Sequence, residues 1–177
     1  MLKVKTPIKI LSVIPGTKYL GVAQFYGASL RDWRIKCLNA EGNENKIKKG
    51  KEIILDYIEK YSPQVLAIKK LDRKRSSKNL NSLARRIKEF AKRKGLTLYQ
   101  LKLSEIKKPF ALGQRINKKN LAELVTSQYP ELLFDFEKEK RNKNVYYERM
   151  FEAVALGLAC FYKIDGNLSL SKAYGKK

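Results

Sequence analysis

Glu148 and Glu152 stand four residues apart in "ERMFEAVALGLACF", residues 148–161. One helical turn would set both carboxylates on nearly the same face. Such a pair can do acid–base work or offer oxygen to a divalent cation. Little else in the chain competes for chemistry. There is no histidine, which removes Ser-His and Cys-His nucleophilic systems, His-ligated zinc and the usual base at neutral pH. Cys37 and Cys160 are the two cysteines, too few for a structural zinc site. Far apart in sequence, they suit a reducing cytosol better than a disulfide framework, so a cytoplasmic protein is expected. Any hydrolysis would rest on carboxylates, lysine or bound metal.

The second chemical signal is charge. Lys and Arg number 39 against 17 Asp and Glu, a net +22 over 177 residues. Solubility needs a net charge of only about 2–8, so the excess points to a polyanion, most simply DNA or RNA. No apolar run approaches the roughly 20 residues that span a bilayer, and no membrane role is expected. The cations concentrate in residues 69–94: Lys69, Lys70, Arg73, Lys74, Arg75, Lys78, Arg85, Arg86, Lys88, Lys92, Arg93 and Lys94 face only Asp72 and Glu89. The loop "KKLDRKRSSK" is the candidate phosphate-contacting surface, with Arg85 and Arg86 beyond it, while Lys88, Lys92 and Lys94 read as a solvated helix face. "GQRINKKN", residues 113–120, adds Arg115, Lys118 and Lys119 before a helix cap. Lys3, Lys5 and Lys9 are expected in a flexible basic arm, drawn over residues 1–7, and residues 164–177 form a polar, basic tail. Tyr26, Trp33, Tyr146 and Tyr147 are available to stack on bases, and none is assigned that role.

The elements that must position these groups follow from hydrophobic periodicity. Residues 8–14 read as a continuously apolar strand, 19–26 as a second, and 29–38 as a third with a register break near Asp32. Ile47 to Tyr61 has helical spacing, and Pro63 stops it. "VLAI", 65–68, is a short buried strand. A helix runs from about Ser77 to Lys94, capped by Ser76 or Ser77, and Gly95 ends it. Residues 96–103 form another strand, followed by a short helical turn ended by Pro109. Asn117 caps a helix stopped by Pro130, residues 131–143 read as a charged connection, and a last helix spans Val145 to Tyr162. Three antiparallel strands followed by strand–helix crossovers predict an α/β protein. Its mixed five-stranded sheet would have parallel additions and helices on both faces, in the order of the ribonuclease H-like fold, over residues 8–163.

Three segments carry a resemblance. "VIPG" ends the first strand, "VLAIKK" the fourth, and "RMFEAVALGLAC" opens the last helix. In this order they resemble RuvC-type Holliday junction resolvases, above all compact stand-alone RuvC-like proteins. In that family an aspartate precedes the Pro-Gly, a glutamate ends the fourth strand, and the helix carries an acidic residue or histidine with an aspartate three residues on. The resemblance implies two magnesium ions clamping a scissile phosphate, a dimeric protein, and a DNA-binding side lined by the loop and helix of residues 69–94.

Position by position, this chain departs from that pattern. Ile14 replaces the first carboxylate, Lys69 the second and Arg149 the third; Glu152 alone remains acidic, with Glu148 one turn earlier. Two unit charges about 4 Å apart interact by roughly 4 kcal/mol at an effective dielectric of 20. A divalent ion beside Lys69 would meet about twice that in repulsion. The leading expectation is therefore a pseudo-nuclease without a metal cofactor, binding branched DNA or structured nucleic acid, with Lys69 paired to Glu152 or to a phosphate. An active magnesium-dependent endonuclease would need relocated ligands: Glu152 and Glu148, with Asp72 or Glu105 nearest in sequence. A third reading is a basic scaffold subunit of a larger nucleoprotein complex.

Overall fold

Five strands and six α-helices are seen in a computed structural model, described for residues 6–142 and 147–166. The strands are β1 (Lys9–Ile14), β2 (Tyr19–Tyr26), β3 (Ser29–Cys37), β4 (Val65–Lys69) and β5 (Thr97–Leu101). They form one sheet in the order β3-β2-β1-β4-β5. β1–β2 and β2–β3 are antiparallel, whereas β1–β4 and β4–β5 are parallel. This is the mixed sheet that the order of elements predicts. The register break falls where expected. Gln24 pairs with Asp32 but Phe25 pairs with Leu30, so Arg31 is the extra residue of a bulge.

The helices are α1 (Asn43–Tyr61), α2 (Lys78–Arg93), α3 (Leu103–Ala111), α4 (Lys118–Gln128), α5 (Leu133–Asn142) and α6 (Glu148–Asp165). They cover both faces, because the strands of the sheet centre are apolar on both sides. Along β1, Leu11 and Val13 join Ile54 of α1 and Ile87 of α2 in one core. Ile10 and Ile14 join the other core with Phe151 and Val154 of α6, Phe110 of α3 and Val125 of α4. The buried Ser12 hydroxyl lies 2.7 Å from the Ala153 carbonyl of α6 and 3.2 Å from the Ala23 carbonyl of β2. Its single hydrogen ties the sheet centre to the helix.

Four local expectations are corrected. The first helix begins at Asn43, four residues before Ile47. Pro109 does not end α3, which continues to Ala111. Pro109 lies buried with Ile106 and Phe110 in the core, and that burial offsets the backbone hydrogen bond that proline cannot donate. Residues 131–143 are not a plain connection: a 3-10 turn at Pro130–Leu132 leads into α5, pinned by buried Leu132 and Phe136. The last helix starts at Glu148 and ends at Asp165, where Gly166 takes the left-handed conformation. Met1–Lys5, Tyr146 and residues 167–177 of the basic tail lie outside the described residues, as does Val145.

Candidate functional site

Parallel pairing sets the ends of β1 and β4 side by side. Val13 is in register with Ile68, so the next residues, Ile14 and Lys69, close the two strands together. Strand alternation sends both to the α6 side of the sheet, with Ile10, Val65 and Ala67. α6 crosses there. Lys69 Nζ lies 2.9 Å from Glu152 Oε2, with 21% of the lysine side chain and 6% of the glutamate side chain exposed. Ile14 beside them is fully buried. The sequence pairing of Lys69 with Glu152 is thus formed in the structure.

Arg149, one turn before Glu152, donates from Nη1 to the Pro15 carbonyl at 3.3 Å. Its guanidinium lies against Gly16, where a Cβ would come within 2.7 Å of Nε and Cζ. Gly21 on β2 supports the same approach, since a Cβ there would overlap the Arg149 carbonyl. The Pro-Gly turn therefore receives the Arg149 cation, and Gly21 of β2 receives the backbone at the start of α6.

Glu148 stands in a second cluster. Lys118 Nζ is 2.6 Å from Glu148 Oε1. That carboxylate raises the Lys118 ammonium above the ordinary lysine range, against the opposing effect of partial burial. The carboxyl of Glu139 on α5 is pushed up by burial and then by the charge of Glu148. Glu148 and Glu152 each meet a lysine, and Glu152 also acts on Lys118 by charge.

Magnesium requires several oxygen ligands around one point. Among the described residues, no three Asp, Glu, Cys or His side chains come together for a metal ion. The two carboxylates proposed as relocated ligands are engaged elsewhere. Asp72 accepts from the Lys74 amide at 3.0 Å and shapes its own loop. Glu105 caps α3, accepting from the Lys102 amide at 2.7 Å, and meets Lys163 at 3.1 Å; the amide and then the lysine hold its carboxyl below the usual range. The donor set does not fit the two magnesium ions that the resemblance implies.

The basic segment opens beside this pair. Lys70, Arg73, Lys74, Arg75 and Lys78 are exposed on the β4–α2 loop and the start of α2. Ser77 caps α2 through the Leu80 amide at 3.1 Å. Lys69, Lys70, Arg73, Lys78, Arg85 and Lys88 line one hollow of about 510 Å³ that contains no carboxylate. Lys88, expected on a solvated helix face, turns into this hollow and meets Gln100 Oε1 at 3.1 Å. Burial, then Arg73, Lys92 and Lys70, push its ammonium below the usual lysine range. Its membership depends on β5 lying beside the base of α2, which local periodicity does not encode. Arg86 instead leans towards Glu44 of α1 at 4.0 Å. Arg115 and Lys119 are exposed before and at the start of α4, while Lys118 is committed to Glu148. Trp33 donates from Nε1 to Asp135 at 3.0 Å.

No protein-family model and no curated protein sequence matches the chain. Solved structures do. Thermus thermophilus RuvC in complex with a Holliday junction substrate superposes with a TM-score of 0.68 at 15% identity, over 90% of this chain and 96% of that one. The yeast mitochondrial Holliday junction resolvase matches at 0.59 and 10% identity, over 98% of this chain and 89% of that one. The fowlpox virus resolvase with its substrate Holliday junction DNA matches at 0.56 and 18%, over 87% and 99%. The chain has the RuvC-like, ribonuclease H-like resolvase fold. None of the described helices is long and apolar enough to cross a membrane.

Proposed function

We propose that this chain binds branched DNA or similarly structured nucleic acid through the basic face around the β4–α2 loop, and does not cleave it. The observation that carries the reading is the Lys69–Glu152 ion pair at 2.9 Å. A protein cation sits at the fold position where the resemblance implies metal, and the last acidic residue of the pattern is spent on it. Removing a group that neutralises a buried carboxylate is costly, so the lysine does structurally what a metal would do by charge. Ile14 offers no oxygen, and Arg149 brings a second positive charge to the same strand end. The hollow of six cations beside the pair supports phosphate binding.

The test incubates the protein with a four-way junction, duplex, single-stranded DNA and RNA, with magnesium or manganese present. Complexes without cut strands are the expected outcome. With six to eight phosphates contacted, the logarithm of duplex affinity should fall with the logarithm of salt at a slope of about −5 to −7. A slope near zero contradicts nucleic-acid binding, and cutting that Glu152→Gln abolishes contradicts the loss of catalysis.

A further inference from the structure

The far end of the sheet carries a second basic hollow of different make-up. Lys9 begins β1 and is in register with Tyr26, which ends β2. Five residue steps along β1, about 17 Å at strand rise, separate this end from Ile14. A hollow of about 450 Å³ here is lined by Lys9, Gln24, Tyr26, Arg31, Lys60 and Tyr61. The bulge on β3 supplies Arg31.

Cations and rings alternate around it. Lys9 Nζ lies 6.0 Å and Arg31 Cζ 5.4 Å from the centre of the Tyr26 ring, and Lys60 Nζ lies 5.0 Å from that of Tyr61. Among the described residues, none of these three cations has a carboxylate partner. Asp32, the neighbouring acid, is taken by Arg34 at 3.3 Å, the Trp33 amide at 3.0 Å and the Tyr61 hydroxyl at 3.2 Å. That hydroxyl contact, with stacking on Tyr57 at 5.8 Å and 23°, fixes the Tyr61 ring. Gln24 is buried; its amide donates to the Phe25 carbonyl at 3.1 Å, and its Oε1 has no hydrogen-bond partner among the described residues. Buried acceptors are rarely left unmatched.

We infer that this hollow takes an unpaired nucleotide of a single-stranded nucleic acid. The base stacks on Tyr26 or Tyr61, and the phosphates lie against Lys9, Arg31 and Lys60. A bare phosphate has no use for two oriented rings. A duplex keeps its base faces covered by neighbouring bases and cannot offer them to rings set in a hollow, whereas an unpaired base can. The volume lies within the range of small-ligand sites. The inference does not depend on what the Lys69 end binds.

The experiment measures anisotropy of three labelled eight-nucleotide probes of equal charge: oligothymidine, oligouridine and an abasic strand. With equal numbers of phosphates, the difference reports the bases. At least one of the base-bearing strands should bind about tenfold tighter than the abasic strand, the effect of one stacked base. Tyr26→Leu combined with Tyr61→Leu should bring the base-bearing strands down to the affinity of the abasic strand. Preference for only one of the base-bearing strands would assign the site to DNA or to RNA. Equal affinity for base-bearing and abasic strands overturns the inference. Photo-crosslinking of a 5-iodouracil strand to the unsubstituted protein needs no variant to fold. An adduct on Tyr26 or Tyr61 supports the site, and adducts confined to other residues overturn it.

Discussion

One turn of α6 separates two carboxylates that meet two lysines on very different terms. Glu152 points into the protein, 6% exposed, and Lys69 reaches it from the end of β4 with 21% of its own side chain in solvent. Glu148 is 16% exposed, but its lysine, Lys118, is 63% exposed on α4. The inner pair is held by the sheet, since β1 and β4 fix where Lys69 emerges. The outer pair joins two helix starts, an exposed lysine reaching a carboxylate whose Oε1 is itself buried. An interior pair matters because of what is left when one partner goes. A surface pair is worth little, because water and salt replace the partner cheaply.

This contrast can be broken most severely at its inner member. Lys69→Met leaves a buried carboxylate without a counter-charge and should cost about 2–4 kcal/mol in urea unfolding. Lys69→Met with Glu152→Leu should recover most of that loss, because both charges are then gone. If the double variant is no more stable than the single one, the inner pair is not the source of the cost. At the outer pair, where the lysine is the exposed partner, Lys118→Met should cost less than Lys69→Met, and about 0.5 M salt should narrow the remaining cost. An equal cost at the two lysines would remove the distinction.

The smallest effect concerns Glu139, whose carboxyl is raised by burial and by Glu148. A raised folded-state pKa means that ionisation opposes folding. The penalty is full above the folded pKa and absent below the unfolded one. Glu139→Gln should therefore raise the melting temperature slightly at pH 7, and the gain should fade as pH falls through the carboxylate range. A gain that grows on acidification would reverse the sign and the assignment.

Much of the scaffold was legible because it depends on local signals. The Pro15-Gly16 turn, the break at Asp32, the Ser77 cap and the apolar run of α6 each announce themselves within a few residues. The convergence of Ile14, Lys69, Arg149 and Glu152 was legible only because three segments in order resembled a known pattern. What escaped was set by tertiary contacts. α5 is rich in charge, and only the burial of Leu132 and Phe136 makes it an element. α3 runs through Pro109 because the core accepts the ring. The Lys118–Glu148 contact joins residues thirty apart. The Tyr26–Tyr61 hollow joins a strand end to a helix end that no single window contains.

We propose that Lys69 holds the place and the charge of a metal. A manganese titration followed by electron paramagnetic resonance reads it directly, since bound ion loses the six-line signal of free ion. With Lys69 on Glu152 and Ile14 at the end of β1, the free-ion signal should persist undiminished at ~1 mM manganese, a range in which weak divalent-cation sites already fill. Binding of one or two ions per chain, lost in Glu152→Gln, would contradict that role for Lys69.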